Sequence, residues 1–173
     1  MYDIYSGEKN DQWRFTLGKS GNRKLFTIGL NPSTASQEKS DTTVAKVEAV
    51  ATRAGYDGFV MLNLYPVRAT DFNKLPNQVN IEAFSTNLAS IEAIVKEESD
   101  PVIWAAWGEN ILAREYFFAS AVELIARLKK YNVSWRRFGD LTKSGHPRHP
   151  SRLHYAWDFW PLDIQEYLQK TRI

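Results

Sequence analysis

The chain of 173 residues contains no cysteine. This absence excludes disulfide bonds, catalysis by a thiolate, and zinc or iron–sulfur sites built on cysteine. No apolar run approaches the roughly 20 residues that a transmembrane helix needs. The first residues also lack the basic and apolar regions of a secretion signal. We therefore expect a cytoplasmic protein that does not associate with membranes.

Three motifs of nucleotide-binding and hydrolytic enzymes are also missing. No G-x-G-x-x-G follows a strand-like run, no G-x-x-x-x-G-K-S/T occurs, and there is no G-x-S-x-G. These absences argue against a dinucleotide cofactor site, a P-loop nucleotide hydrolase and the nucleophile elbow of the α/β-hydrolases. The sequence predicts no cofactor.

Apolar runs of strand length alternate with helical patterns along most of the chain. The strand-like runs are residues 25–30, 59–64, 102–107 and 135–138, and the helical patterns are residues 44–54, 80–96 and 110–131. Such alternation predicts a parallel sheet with right-handed crossovers and helices on both faces. A chain of this length with 43% hydrophobic residues is long enough for one domain with a full core.

The ends of the chain add to this expected core. Residues 12–17 alternate apolar and polar side chains, and a turn separates them from residues 25–30. This pattern predicts a hairpin at the sheet edge, within an N-terminal extension of residues 1–24 that precedes an α/β core of residues 25–173.

After a polar loop, residues 139–152, a last helix is expected with Pro161 at its first position. The fold class expected for residues 1–173 is therefore a single three-layer α/β domain. Its sheet is expected to be mainly parallel, with about four strands plus the N-terminal edge hairpin.

Polar residues follow the strand-like runs, at the edge where open α/β sheets bind ligands. The carboxamide of Asn31 can orient a water molecule, and the hydroxyls of Ser33 and Thr34 can hold a phosphate. Asn63 ends a wholly apolar run, and its amide offers both a donor and an acceptor to one edge of a nucleobase. A simple turn at residues 31–34 and an Asn63 satisfied by neighbouring backbone are the structural alternatives.

The loop before the last helix carries candidate groups for binding an anion. His146 and His149 each precede a proline, and Lys143, Ser144 and Arg148 suit a phosphate or another anion. A metal site is not expected, because no cysteine and few acids accompany the histidines. A purely structural polar loop is the alternative.

The net charge of +2 conceals an asymmetry along the chain. Residues 127–152 hold eight lysines and arginines against one acid, a block of +7. Such a block can form an anion-facing patch, although clustering in sequence need not mean clustering in space. Four aromatic residues at or near the strand ends, Tyr65, Phe72, Trp104 and Trp107, can either stack on a flat base or pack in the core, and core packing is favoured for Trp104.

Several of these motifs together resemble the domain-of-unknown-function family sixteen-forty-three, which implies no activity. The motifs are Gly29-Leu30-Asn31-Pro32-Ser33-Thr34-Ala35, Asn63-Leu64, Arg68-Ala69-Thr70-Asp71, Trp107-Gly108 and Gly145-His146-Pro147-Arg148-His149-Pro150. This resemblance covers nearly the whole chain. It adds Arg68 to the candidate binding residues.

A second resemblance is to the uracil-DNA glycosylase superfamily. Four segments are similar to segments of that superfamily: Gly29-Leu30-Asn31-Pro32, the run that ends in Asn63, residues 103–108 as its third strand, and His149-Pro150-Ser151. The resemblance implies that Asn31 orients water, that Asn63 binds the edge of an extruded base, and that a histidine, His149 or His146, hydrogen-bonds the departing base.

Two departures from the superfamily's pattern stand out. Ser33 replaces a glycine, and two His-Pro pairs compete for one role. The function expected first is hydrolysis of an N-glycosidic bond in DNA or in a nucleotide. A non-catalytic module that binds nucleic acid or a nucleotide is the main alternative, and an unrelated hydrolase or transferase on the same scaffold is another. DNA is the partner expected first.

Overall fold

A computed structural model describes residues 1–171 as one α/β domain. The strands are β1 (Ile4–Glu8), β2 (Trp13–Lys19), β3 (Lys24–Gly29), β4 (Gly58–Asn63), β5 (Val102–Ala105), β6 (Ser134–Phe138) and β7 (Phe159–Pro161). The α-helices are α1 (Thr42–Arg53), α2 (Ile81–Val95), α3 (Glu115–Leu128) and α4 (Ile164–Thr171). Among these residues, no helix has the length and apolar character needed to cross a bilayer.

The sheet has the order β1-β2-β4-β3-β5-β6-β7. Its four central strands, β4, β3, β5 and β6, are parallel, as the alternation of strands and helices predicts. The outer strands β1, β2 and β7 run antiparallel to their neighbours. The sheet is therefore mixed and larger than the expected four strands with an edge hairpin.

The expected hairpin between residues 12–17 and 25–30 is wrong. β2 pairs with β1 on one side and with β4 on the other, where Leu17 lies opposite Met61. β4 therefore separates β2 from β3. Six of the seven residues of β2 are buried, which is typical of an inner strand. The true edge strand, β1, was missed because its sequence is largely polar.

The end of the chain also differs from the expectation. Pro161 ends the edge strand β7 instead of beginning a helix, a position where the missing N–H costs no ladder bond inside the sheet. α4 begins after Asp163, whose Oδ1 accepts hydrogen bonds from the backbone N–H groups of Gln165 and Glu166. The long helix expected at residues 110–131 is broken into a 3-10 turn at Glu109–Ala113 and α3.

Two helices begin where capping residues predict. The Oδ1 of Asp41 accepts a hydrogen bond from the Val44 N–H at 2.9 Å, and Asn80 caps α2 through the Ala83 N–H at 3.0 Å. α2, α3 and α4 cover one face of the sheet with a large apolar cluster, whereas α1 alone packs on the other. This uneven covering leaves space beside the start of α1.

Candidate active site

A cleft of about 720 Å³ opens at the carboxyl ends of the parallel strands, beside the start of α1. It is lined by six residues that the sequence predicts as site residues: Asn31, Ser33, Asn63, Trp107, Arg148 and His149. They come from the ends of β3, β4 and β5 and from the loop that follows β6. Parallel strands deliver their carboxyl ends to one edge, which is why segments so distant in sequence meet here.

The side chain of Asn31 is oriented by backbone carbonyls. Its Nδ2 donates to the carbonyl of Ala69 at 2.9 Å and to that of Pro32 at 3.1 Å. Both donors of the amide are thus used by the protein, and Oδ1 is left as an acceptor at the cleft wall. An amide oxygen held in this way can accept a hydrogen bond from a water molecule and fix the direction of its lone pairs.

Asn63 is the most unusual group in the cleft. The residue is 1% exposed, and neither Nδ2 nor Oδ1 has a hydrogen-bond partner among residues 1–171. An unpartnered buried amide costs about 1–3 kcal/mol for each polar group. The Asn63 amide therefore keeps a donor and an acceptor side by side that no described residue satisfies.

The backbone at Asn63 is held from the other face of the sheet. Asn87 of α2 donates from Nδ2 to the Asn63 carbonyl at 2.8 Å and to the Leu64 carbonyl at 3.3 Å. The hydroxyl of Ser120 in α3 donates to the same Leu64 carbonyl at 2.5 Å. These bonds fix the end of β4 and, with it, the direction of the Asn63 side chain. Asn87 and Ser120 are thus positioning residues.

The imidazole of His149 is neutral and has a defined tautomer. Its Nδ1 accepts a hydrogen bond from the Ser151 N–H at 3.2 Å and lies 2.9 Å from the Ser151 hydroxyl. Burial lowers the pKa of His149 to about 4. Because Nδ1 is an acceptor in the neutral ring, the proton resides on Nε2, which can donate to a ligand.

His146, the competing histidine, is directed away from the cleft. It is 2% exposed, and its Nδ1 lies 3.0 Å from the hydroxyl of Tyr167 in α4. The same hydroxyl accepts a hydrogen bond from Nε1 of Trp107 at 3.0 Å. Burial lowers the pKa of His146 and raises the pKa of Tyr167 to about 12. The three groups form a neutral chain behind the cleft wall.

A family model described as a protein of unknown function, DUF1643, matches residues 13–151. The chain belongs to the DUF1643 family. It has no significant match among curated proteins and none among solved structures. The first resemblance drawn from the motifs is confirmed, and the likeness to the uracil-DNA glycosylase superfamily stays a prediction.

The structure of this DUF1643 member does not bring every predicted site residue into the cleft. Tyr65 is buried, its hydroxyl accepts from the Asn80 N–H at 3.0 Å, and its ring packs on Tyr116. Thr34, Lys143 and Ser144 are exposed and lie outside the lining. The aromatic surface that the cleft does offer comes from Phe72 and Trp107.

Arg68 stabilises the loop that follows β3 through hydrogen bonds to its backbone carbonyls. Its Nη1 donates to the carbonyls of Ser33 and Ala35 at 2.9 and 2.7 Å, and its Nη2 pairs with Asp11 at 3.0 Å. These bonds hold the loop that carries Asn31 and Ser33. The structure thus gives the guanidinium a positioning role for this loop.

The basic block of the sequence is divided in space. Arg148 and Arg152 line the cleft, whereas Arg127 and Lys130 pair with Glu92 on the surface of α2. Only part of the +7 charge of residues 127–152 therefore lines the cleft.

Four charged cleft residues in this DUF1643 member are not among the predicted site residues: Arg14, Asp41, Glu109 and Arg152. Arg14 of β2 lies in the cleft although its strand was expected at the sheet edge. Glu109 lines the cleft at the start of the 3-10 turn that follows β5, and hydrogen bonds with Thr142 and Ser144 lower the pKa of its carboxyl. Among residues 1–171, no group of three histidines or acids could hold a metal ion.

Proposed function

We propose that the protein hydrolyses the N-glycosidic bond of a base in DNA or in a nucleotide. The observation that carries this proposal is the buried amide of Asn63, unpartnered on both atoms, in the same cleft as the oriented Oδ1 of Asn31. A flat ligand with a donor and an acceptor on one edge satisfies Asn63, and nucleobases have such edges.

The three polar residues divide the work of the proposed reaction. Asn63 binds the edge of the base, and Asn31 accepts a hydrogen bond from a water molecule beside the sugar. The water oxygen forms a bond to the anomeric carbon while the bond to the base nitrogen breaks, and the base leaves with the bonding electrons. The Nε2–H of His149 donates to this departing anion. The proton lost by the water passes to solvent, because an amide is too weakly basic to keep it.

The test is release of free base from oligonucleotides and nucleotides that contain uracil, mismatched or alkylated bases. We expect release by the native protein and a fall of about a hundredfold in Asn31→Ala, since positioned groups of this kind contribute about that factor. Asn22→Ala is the matched control, because exposed Asn22 precedes β3 at the opposite end of the sheet. Absence of release from every substrate, or equal rates in native protein and Asn31→Ala, contradicts the proposal.

A second candidate is a non-catalytic module for nucleic acid or a nucleotide. The guanidiniums of Arg148 and Arg152 in the cleft wall favour it, because they can bind phosphates whether or not a bond is cleaved. In that case binding weakens as salt is raised and in Arg148→Ala, and no free base is formed. Product analysis at saturating protein separates the two functions.

A further inference from the structure

A buried guanidinium that forms no direct ion pair lies in the wall of the cleft, with the carboxylates of Asp41 and Asp11 as its nearby negative charges. Arg14 is 1% exposed, and the only hydrogen bond of its side chain among residues 1–171 runs from Nη1 to the Ala35 carbonyl at 3.0 Å. Its Nε is buried with no partner, and the described residues place no carboxylate oxygen within 4.0 Å of its nitrogens. An unpaired charge removed from water is costly, so native proteins rarely keep one without a use for it.

A local irregularity in β2 aims this side chain at the cleft. Ser6 lies opposite Thr16 and Gly7 opposite Arg14, so Phe15 is an extra residue in the ladder. Such a bulge redirects neighbouring side chains. Phe15 packs in the apolar cluster beneath α2 and α3, whereas Arg14 lines the cleft.

Comparison with Arg68 shows what Arg14 lacks. Both guanidiniums donate to the Ala35 carbonyl, but only Arg68 also meets a carboxylate, that of Asp11. The acid that faces Arg14 from the start of α1 is Asp41, and its two oxygens accept from the Val44 and Ala35 N–H groups. Burial lowers the pKa of Arg14 to about 10, with the charge of Arg68 as a second cause. Arg14 remains charged at neutral pH.

The groups beside Arg14 also suit a negative ligand. Ser33 and Thr43 line the same cleft with half-buried hydroxyl side chains. Thr43 lies in the first turn of α1, a helix of 12 residues whose N-terminus carries a partial positive charge. A planar guanidinium, hydroxyls and a helix N-terminus are the groups that recur in phosphate sites.

We propose that Arg14, with Ser33 and the start of α1, forms an oxyanion subsite that binds a phosphate group of the ligand. The direct ion pair that Arg14 lacks is then formed with the ligand, and the subsite is complete only when occupied. That this phosphate belongs to a nucleotide rests on the proposed function; the subsite itself depends only on the cleft.

The first experiment measures thermal stability and calorimetric binding with inorganic phosphate. We expect phosphate to raise the Tm of the native protein, and the effect to be lost in Arg14→Met, with binding weakened at least tenfold. Without phosphate, Arg14→Met should be as stable as the native protein or more so, because an uncompensated buried charge is removed. Arg23→Met is the control, since exposed Arg23 precedes β3 at the other end of the sheet.

Three results overturn the subsite. They are no response of the native protein to phosphate, an equal response in Arg14→Met, and a strong loss of stability in Arg14→Met, which would show that the guanidinium serves the fold. A measurement on the native protein guards against misfolding of the variant. The Nε–H nuclear magnetic resonance signal of Arg14, assigned by its absence in Arg14→Lys, should shift on addition of phosphate, and an unmoved signal contradicts the proposal.

The source of the phosphate is tested separately. A nucleoside monophosphate and a short oligonucleotide should each compete with inorganic phosphate if the subsite serves nucleotides, and the tighter competitor identifies the source. A nucleoside without phosphate should leave the Arg14 signal in place. Base release is scored in the same samples, so a protein that binds phosphate through Arg14 but releases no base retains the subsite and loses the proposed reaction.

Discussion

The two faces of the sheet differ in how completely they are covered. On one face, α2, α3 and α4 enclose a continuous apolar cluster that includes Phe117. On the other face α1 packs alone through residues such as Val47, and the cleft opens beside its start. The contrast teaches that stability is concentrated where the helical layer is thick. The unpartnered groups that line the cleft, those of Arg14 and Asn63, lie where it is thin.

The contrast between the two faces is tested most directly by truncating one core side chain on each face. Phe117→Ala should lower the free energy of unfolding by about 3–5 kcal/mol, and Val47→Ala by about 2 kcal/mol, because a larger side chain and a larger cavity are involved in the first. Urea unfolding followed by circular dichroism measures both. Because Phe117 is the larger side chain, equal losses would show that Val47 contributes more for its size, and this result contradicts the contrast between the faces.

Substitution of two buried asparagines, Asn63 and Asn87, gives a second test of the contrast between the two faces. Asn63→Ala should reduce base release about a hundredfold while the protein stays as stable or becomes more so, since two unpartnered atoms disappear. Asn87→Ala, the matched change on the covered face, should cost about 1–3 kcal/mol because it removes two buried hydrogen bonds, those to the carbonyls of Asn63 and Leu64. A large loss of stability in Asn63→Ala would mean that its amide serves the fold.

Acidification tests the two histidines together. The pKa of His149 is about 4 in the folded protein against an ordinary 6.5, so the unfolded chain binds the proton first. The stability that His149 contributes is complete above about pH 6.5 and is lost as the pH falls towards 4. His146, whose pKa is also lowered by burial, adds in the same direction. The urea concentration at the midpoint of unfolding should fall less steeply between pH 7 and pH 4 in His149→Gln than in the native protein. An equal slope in both proteins contradicts the expected burial of His149.

The smallest effect is expected from a methyl group added at Gly29, beside the cleft residues Met61 and Asn63. A Cβ on Gly29 would lie 2.6 Å from the Cε of Met61 and 3.0 Å from the Oδ1 of Asn63. Met61 can move, so Gly29→Ala should cost about 1 kcal/mol of stability. Displacement of the Asn63 amide should slow base release while phosphate binding at Arg14 is retained. Loss of both would indicate a wider rearrangement.

The sequence is informative where local physics decides the structure. Caps place the starts of α1 and α2 at Asp41 and Asn80, and apolar runs locate the four central strands. Pairing of β2 with β4 could not be read, because it joins segments about forty residues apart and any buried strand has the same pattern. β7 has only three residues and carries no periodic signal.

Some residues of the candidate site could likewise be predicted from the sequence, and others could not. Asn31, Asn63 and His149 follow from polar residues at the ends of strands and in the loop after β6. Arg14 could not be found, because its direction depends on the extra residue in β2. Asn87 could have been noticed in the sequence, because it lies at helical spacing between buried Ala83 and Ile91, where an apolar side chain is expected. The sequence alone also could not separate His146 from His149.

The bond between Trp107 and Tyr167 has a practical implication for trimming the chain. The DUF1643 match ends at residue 151, yet the hydroxyl shared by Trp107 and His146 comes from α4, beyond that limit. A version shortened to the matched segment would leave the indole N–H of Trp107 and Nδ1 of His146 without this hydrogen-bond partner behind the cleft. The smallest unit worth expressing therefore extends through the final helix.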